Sequence, residues 1–169
     1  MKTAMPMASP WLVIATLAGC SQGSTSSAPR TAAPIDAVTM HRSACLGRCP
    51  VYTVTVKSDG SVILQGLEHL KAVGDLTQRI SPARVAELAK AIDEIGYWTW
   101  KSQYLSQEDG CTAVATDHPG VDIEVRRGGA TKRVSYYYGC KGLPVADQIE
   151  RLSQTIDDVA GTAALIGHE

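Results

Sequence analysis

Two cysteines four positions apart, Cys45 and Cys49, with Pro50 directly behind them, constrain this chain more than any other feature. They lie in residues 44–60, Ala-Cys-Leu-Gly-Arg-Cys-Pro-Val-Tyr-Thr-Val-Thr-Val-Lys-Ser-Asp-Gly. After the proline, Tyr52, Val54 and Val56 alternate with Thr53, Thr55 and Lys57, the period-two pattern of a half-buried strand. Residues 61–65 read as the returning strand. A two-residue loop would set Val54 against Gln65 and mix the two faces. A three-residue loop, Ser58-Asp59-Gly60, sets Val56 against Val62 and Val54 against Leu64, and puts Gly60 at the left-handed position of a type I turn with a bulge. The stretch therefore predicts a cyclised entry into a first hairpin, at the point where tether becomes domain.

What precedes it points to export. Lys2 gives a positive start and residues 11–18 an apolar run of signal-peptide length. Leu17-Ala18-Gly19-Cys20 resembles the bacterial lipobox, which implies removal of residues 1–19 and acylation of Cys20. Ser21 at the next position resembles the pattern that releases lipoproteins to the outer membrane, so the expected address is the periplasmic face of the outer membrane. Several acyl chains would anchor firmly, at about 0.8 kcal/mol per buried CH₂. Residues 20–34 hold mostly Ser, Thr, Ala, Gly and Pro, the composition of a flexible tether. Residues 35–161 remain for one domain and residues 162–169 for a tail with no evident packing partner. Without Lys2 the 16 basic residues become 15 against 17 acidic ones, a net charge of −2, which offers no footprint for nucleic acid.

An exported domain meets oxidising conditions. With Cys20 acylated, Cys45, Cys49, Cys111 and Cys140 remain, and four cysteines allow three connectivities. Cys45–Cys49 closes over a tight turn at Gly47 and Cys111–Cys140 brackets a hairpin, so this connectivity is favoured. Chain entropy assigns about 2 kcal/mol to the short loop and about 3.5 kcal/mol to the long one. The Cys-x-x-x-Cys-Pro spacing also resembles the motif of thioredoxin-fold copper-delivery proteins, but there it opens a helix and here it precedes a strand. A zinc site from Cys45, Cys49 and His41 is the other metal reading; its spacing is irregular.

Downstream, Leu70, Ala72, Leu76 and Ile80 suggest one or two short strands broken at Gly74-Asp75. Ser81-Pro82 starts a helix as N-cap and first-turn proline, with Val85, Leu88, Ala89, Ile92 and Ile95 on one face and Gly96 at its end. Tyr97, Trp98, Trp100 and Tyr104 follow, as core mass in a chain without Phe or as an aromatic binding platform. Residues 121–127 and 130–138 flank Gly128-Gly129, a primed hairpin turn that pairs Ile123 with Val134, Val121 with Tyr136 and Glu124 with Arg133. Pro144 starts a last helix with Val145, Ile149, Leu152, Ile156 and Val159 on one face, ending near Gly161. Two hairpins, short strands and two amphipathic helices predict an α+β, two-layer fold, an antiparallel sheet with both helices on one face.

Cys45-x-Gly47-x-Cys49-Pro50-x-Tyr52, Asp59-Gly60, Ser81-Pro82, Cys111, Asp117-x-Pro119, Lys132-Arg133-Val134-Ser135-Tyr136 and Gly139-Cys140 together resemble a bacterial family of exported domains classed only as a domain of unknown function. The resemblance spans about residues 35–159. It implies a lipid-anchored setting and supplies no activity.

No Gly-x-Ser-x-Gly elbow, zincin helix or phosphate loop is present, and no pattern points to a catalytic residue, cofactor or metal. Asp109, Asp117, His118, Asp122 and Glu124 concentrate acidity around Cys111, and Arg126, Arg127, Lys132 and Arg133 make a basic hairpin tip. The reading favoured is a non-catalytic binding or structural module of the envelope, tied to the membrane at Cys20 and taking a protein or peptidoglycan partner. Its candidate surface is Leu46, Gly47, Arg48, Asp117, His118, Trp98 and Trp100. The competing reading is thiol or metal handling at the Cys45–Cys49 loop, or an enzyme using the Asp109–Asp122 loop.

Overall fold

The computed structural model describes residue 1, residues 34–71 and residues 73–164. The predicted signal at 1–19, the lipidation site Cys20, the tether up to residue 33, Ala72 and residues 165–169 of the tail lie outside the described residues. The fold is α+β. Its strands are β1 (Ala37–Arg42), β2 (Val51–Lys57), β3 (Ser61–Glu68), β4 (Gly74–Arg79), β5 (Gln103–Tyr104), β6 (Ala113–Val114), β7 (Gly120–Arg127), β8 (Ala130–Tyr137) and β9 (Cys140–Lys141). Seven of them form one sheet in the order β4-β3-β2-β1-β7-β8-β5, while β6 and β9 pair separately. Within the large sheet only β5–β8 is parallel.

Both hairpin registers follow the alternation of apolar residues. Val54 faces Leu64 and Val56 faces Val62 around Gly60, whose φ is 80°. A Cβ at Gly60 would meet the Ile80 carbonyl at 2.5 Å, so a side chain is excluded there as well as strained. In the second hairpin Ile123 faces Val134, Val121 faces Tyr136 and Glu124 faces Arg133, with Gly128 and Gly129 both at positive φ.

The centre of the sheet differs from the expectation. β1 sits between β2 and β7 and pairs with each over six residues. Cys45–Cys49 therefore joins β1 to β2 and does not mark the passage from tether to domain. The predicted break at Gly74-Asp75 is also displaced. Those two residues open β4, where Gly74 faces Gly66, and the interruption falls at residues 69–73, with His69 at φ 55°.

Helix α1 (Pro82–Glu94) starts as its sequence specifies, with Ser81 Oγ accepting from Arg84 N at 3.4 Å and Pro82 in the first turn. Gly96, at φ 72°, follows its end. Helix α2 (Ala146–Ala160) starts two residues beyond Pro144, because Leu143–Ala146 first closes a turn, Ala146 N donating to Leu143 O at 3.2 Å. Gly161 at φ 68° closes it. Thr162 then packs back at 0% exposure, so the start of the tail has the partner that its sequence did not reveal. Leu88, Ile92, Ile149, Leu152 and Ile156 bury the helices against Val38, Met40, Tyr52, Val54 and Ile123 of the sheet. Each such aliphatic side chain contributes about 1.5–3 kcal/mol by leaving water. The start of α1 meets the end of α2, where Arg84 Nη2 donates to Asp158 O at 2.6 Å. The other sheet face is polar and carries Thr39, His41, Thr53, Thr55, Asp122 and Glu124.

Candidate binding surface

Strand directions sort the connections into two ends. The turn end holds Ser58-Asp59-Gly60, Gly128-Gly129 and the start of α1. The loop end holds residues 43–50, 69–73, 105–119 and 138–139. Both disulfides are at the loop end. Cys45–Cys49 spans 5.7 Å between Cα atoms and Cys111–Cys140 spans 5.2 Å, ordinary disulfide separations. With the sulfurs paired in this way, neither Cys45 nor Cys49 offers a thiolate, and His41 Nδ1 is instead 3.0 Å from Thr53 Oγ1.

The Cys111–Cys140 bond holds the β6–β9 ladder, in which Val114 faces Cys140 and Ala115 N donates to Gly139 O at 2.8 Å. Gly139 is there because a Cβ would collide with the Ala115 carbonyl and the Tyr137 ring. The ladder sets the next residues beside the first disulfide. Asp117, at φ 70°, accepts Leu46 N at its carbonyl, 3.2 Å away. His118 N donates to Tyr137 Oη at 3.2 Å, and the two rings meet edge to face. Ser43 Oγ accepts from Gly120 N at 2.8 Å and ties the base of both loops. The segments bounded by the two disulfides thus touch, and Leu46 stands 80% exposed at the contact.

Beneath the loops is a part-buried polar network. Arg42 follows Val38 and Met40 on the helix-facing side of β1, a position otherwise apolar. Its Nη2 donates to Asp157 Oδ2 at 3.0 Å and its Nη1 to Tyr138 Oη at 3.1 Å. Tyr52 Oη and Thr162 Oγ1 both donate to Asp157 Oδ1 at 2.7 Å, and Tyr138 Oη donates to Glu150. Burial, reinforced by the Asp157 charge, raises the Tyr52 phenol far above its ordinary value. Burial and the bond to Glu150 push Tyr138 up to about 12, against the opposing charge of Arg42. Burial opposes the Arg42 charge, but the neighbouring phenols and Asp157 outweigh it and raise the guanidinium pKa. An open cleft of about 360 Å³, lined by Arg42, Pro50, Tyr52, Glu150, Gln154 and Asp157, lies against this network. Sequence reasoning missed the network. Its signal was a charge at a core-facing strand position.

Five of the seven predicted surface residues, Leu46, Gly47, Arg48, Asp117 and His118, come together here. Trp98 and Trp100 do not. Tyr97 is fully buried, its hydroxyl donating to Ile123 O at 2.7 Å and Lys132 O at 2.9 Å. Trp100 is 8% exposed, and Lys132 Nζ donates to Trp98 O and Trp100 O, so this run packs the interior toward the turn end. The acidic residues also disperse. Asp109 caps its own turn, held below the usual carboxylate range by bonds from Gln103 and the Leu105 and Ser106 amides. Asp122 accepts from Ser135, and Glu124 pairs with Arg133 at 3.4 Å on the open sheet face. At the basic hairpin tip Arg127 pairs with Asp93 of α1. Among the described residues, no group of three or more His, Cys, Asp or Glu is placed to hold a metal ion.

The family model described as Domain of unknown function (DUF6438) matches residues 36–160, from just before β1 to the last residue of α2. The chain belongs to that family. No curated protein matches the chain.

Proposed function

We propose that this member of a domain family of unknown function is a non-catalytic binding module of the bacterial cell envelope. Lipid on Cys20 holds it to a membrane, the periplasmic face of the outer membrane on the evidence of Ser21. Leu46, Gly47, Arg48, Asp117 and His118 form its recognition surface, and the partner is an envelope protein or a cell-wall component. The observation that carries the reading is the Leu46 N to Asp117 O bond, which fuses two disulfide-bounded loops into one surface around an exposed leucine. An exposed apolar side chain on a backbone already fixed by covalent bonds loses little conformational entropy on binding. Two disulfides suit an oxidising compartment.

The test is in-cell photo-crosslinking from position 46, with position 90 on the exposed side of α1 as control, followed by mass spectrometry. An envelope protein or peptidoglycan fragment recovered from position 46 and not from 90 is the expected result. Recovery no higher than at position 90 refutes the surface. Separately, Cys20→Ala is expected to move the protein out of the membrane fraction, and unchanged membrane association refutes the anchor.

A further inference from the structure

The two edges of the large sheet are unlike. β5 contributes two residues, paired in parallel to β8. β4 contributes six, Gly-Asp-Leu-Thr-Gln-Arg, all exposed. Ile80 N donates to Gly60 O at 2.9 Å, which fixes the phase of the β3–β4 ladder. Gly74, Leu76 and Gln78 turn their backbone groups to β3, and Asp75, Thr77 and Arg79 turn theirs outward. Among the described residues, nothing bonds to those outward groups. A row of free amides and carbonyls is a template for another strand, and natural edges are commonly blunted by repelling charges.

The charges on β4 are of opposite sign and symmetric about Thr77, with Asp75 two residues before it and Arg79 two after. We propose that β4 pairs antiparallel with β4 of a second copy of this chain about a two-fold axis through Thr77. In that register Thr77 faces Thr77 of the second copy, and Asp75 faces its Arg79 twice over. All three outward-facing residues enter the hydrogen-bonded positions. Shifting by one pair sets Asp75 against Thr77, or against Ser81, and both ion pairs are lost. The union gives twice seven strands, a continuous sheet of fourteen, with the helices of both copies on the same side. Leu76 and Val73, 37% and 68% exposed on or just before this strand, lose water at the junction. The β4 edge lies at the sheet margin, with β3 and β2 between it and β1, and uses none of Leu46, Gly47, Arg48, Asp117 and His118, so the dimer and the partner-binding reading stand or fall independently.

The experiment uses the full-length chain in the envelope of an expressing bacterium. Residues facing each other in a hydrogen-bonded pair have Cα atoms about 5.5 Å apart, within disulfide reach. Thr77→Cys is therefore expected to give a covalent dimer on a non-reducing gel that Lys90→Cys, on the exposed side of α1, does not give. Equal dimer at both positions, none at either, or a Thr77→Cys adduct with a different protein overturns the proposal. Sedimentation of the chain without added cysteines is the check that does not depend on the variant's folding. Asp75→Arg is expected to weaken self-association about 2- to 30-fold, and the charge-swapped Asp75→Arg/Arg79→Asp to restore it. A parent chain that stays monomeric, or a swapped variant no better than the single one, overturns it.

Discussion

The two ends of the sheet solve the same problem with different chemistry. At the turn end, strands reverse through Ser58-Asp59-Gly60 and Gly128-Gly129, and helix α1 starts on a Ser cap. Local backbone conformation closes these connections, with side chains reinforcing them at Asp59, Arg79 and the Arg127–Asp93 pair. At the loop end, residues 43–50 and 105–119 are too long for such turns, and disulfides together with the Leu46–Asp117 contact fix them above a part-buried polar network. The lesson is that rigidity at the turn end comes from local preference, whereas at the loop end it comes from pairings between residues up to 115 positions apart. Only the second kind can hold an exposed side chain such as Leu46 in a defined place.

Removing the long-range ties is the most direct way to break this contrast. Cys111→Ser/Cys140→Ser is expected to cost about 3.5 kcal/mol in chemical unfolding, from the span of 29 residues. Hydrogen exchange should rise first at residues 111–120, with the Gly128-Gly129 hairpin the last to change. Asp157→Ala comes next, at about 2–3 kcal/mol, because it strands Arg42 and Tyr52, which are tied to a carboxylate still 16% exposed. Cys45→Ser/Cys49→Ser should cost about 2 kcal/mol for its span of four. It should also diminish crosslinking from position 46 more than it diminishes stability. Gly129→Ala at the turn end is smallest, about 1–2 kcal/mol, for a left-handed residue at φ 82° with open space around it. If it exceeds either disulfide deletion, the contrast between the ends fails.

Alkaline pH probes the buried phenols without mutation, those of the polar network and Tyr97 toward the turn end alike, since burial raises all of them. Tyr138 ionises at about 12 in the fold and near 10 when unfolded, so its contribution is complete below pH 10 and is lost as pH rises toward 12. Tyr52 is raised still further and extends the loss upward. Unfolding followed against pH should show this decline, and Tyr138→Phe should flatten its first part.

The same division decides what the sequence announced. Alternation and Gly placement specified both hairpins, because a one-residue slip would bury Thr53 or Glu124. Ser81, Pro82 and Gly96 marked α1. β1 escaped because Ala-Val-Thr-Met-His-Arg alternates over only six residues and because Arg42 breaks the apolar face that would have declared it. Asp157, its partner, lies in α2 and is meaningless until the helix is laid over β1 and β2. The sequence named Leu46 and Asp117 separately, and nothing in it told that their backbones meet. Trp98 and Trp100 looked equally eligible, and only the hydroxyl of Tyr97 reaching Ile123 O and Lys132 O reveals that their segment faces inward.

The central place of β1 has a mechanical consequence. A pull applied at residue 34 and resisted at Asp117 or His118 would run along the axis of β1. It would load the ladder to β7 in shear over six registered pairs. Strands loaded this way must slip as a unit and do not unzip one pair at a time. A domain loaded through its middle strand in this way would resist extension between those two points.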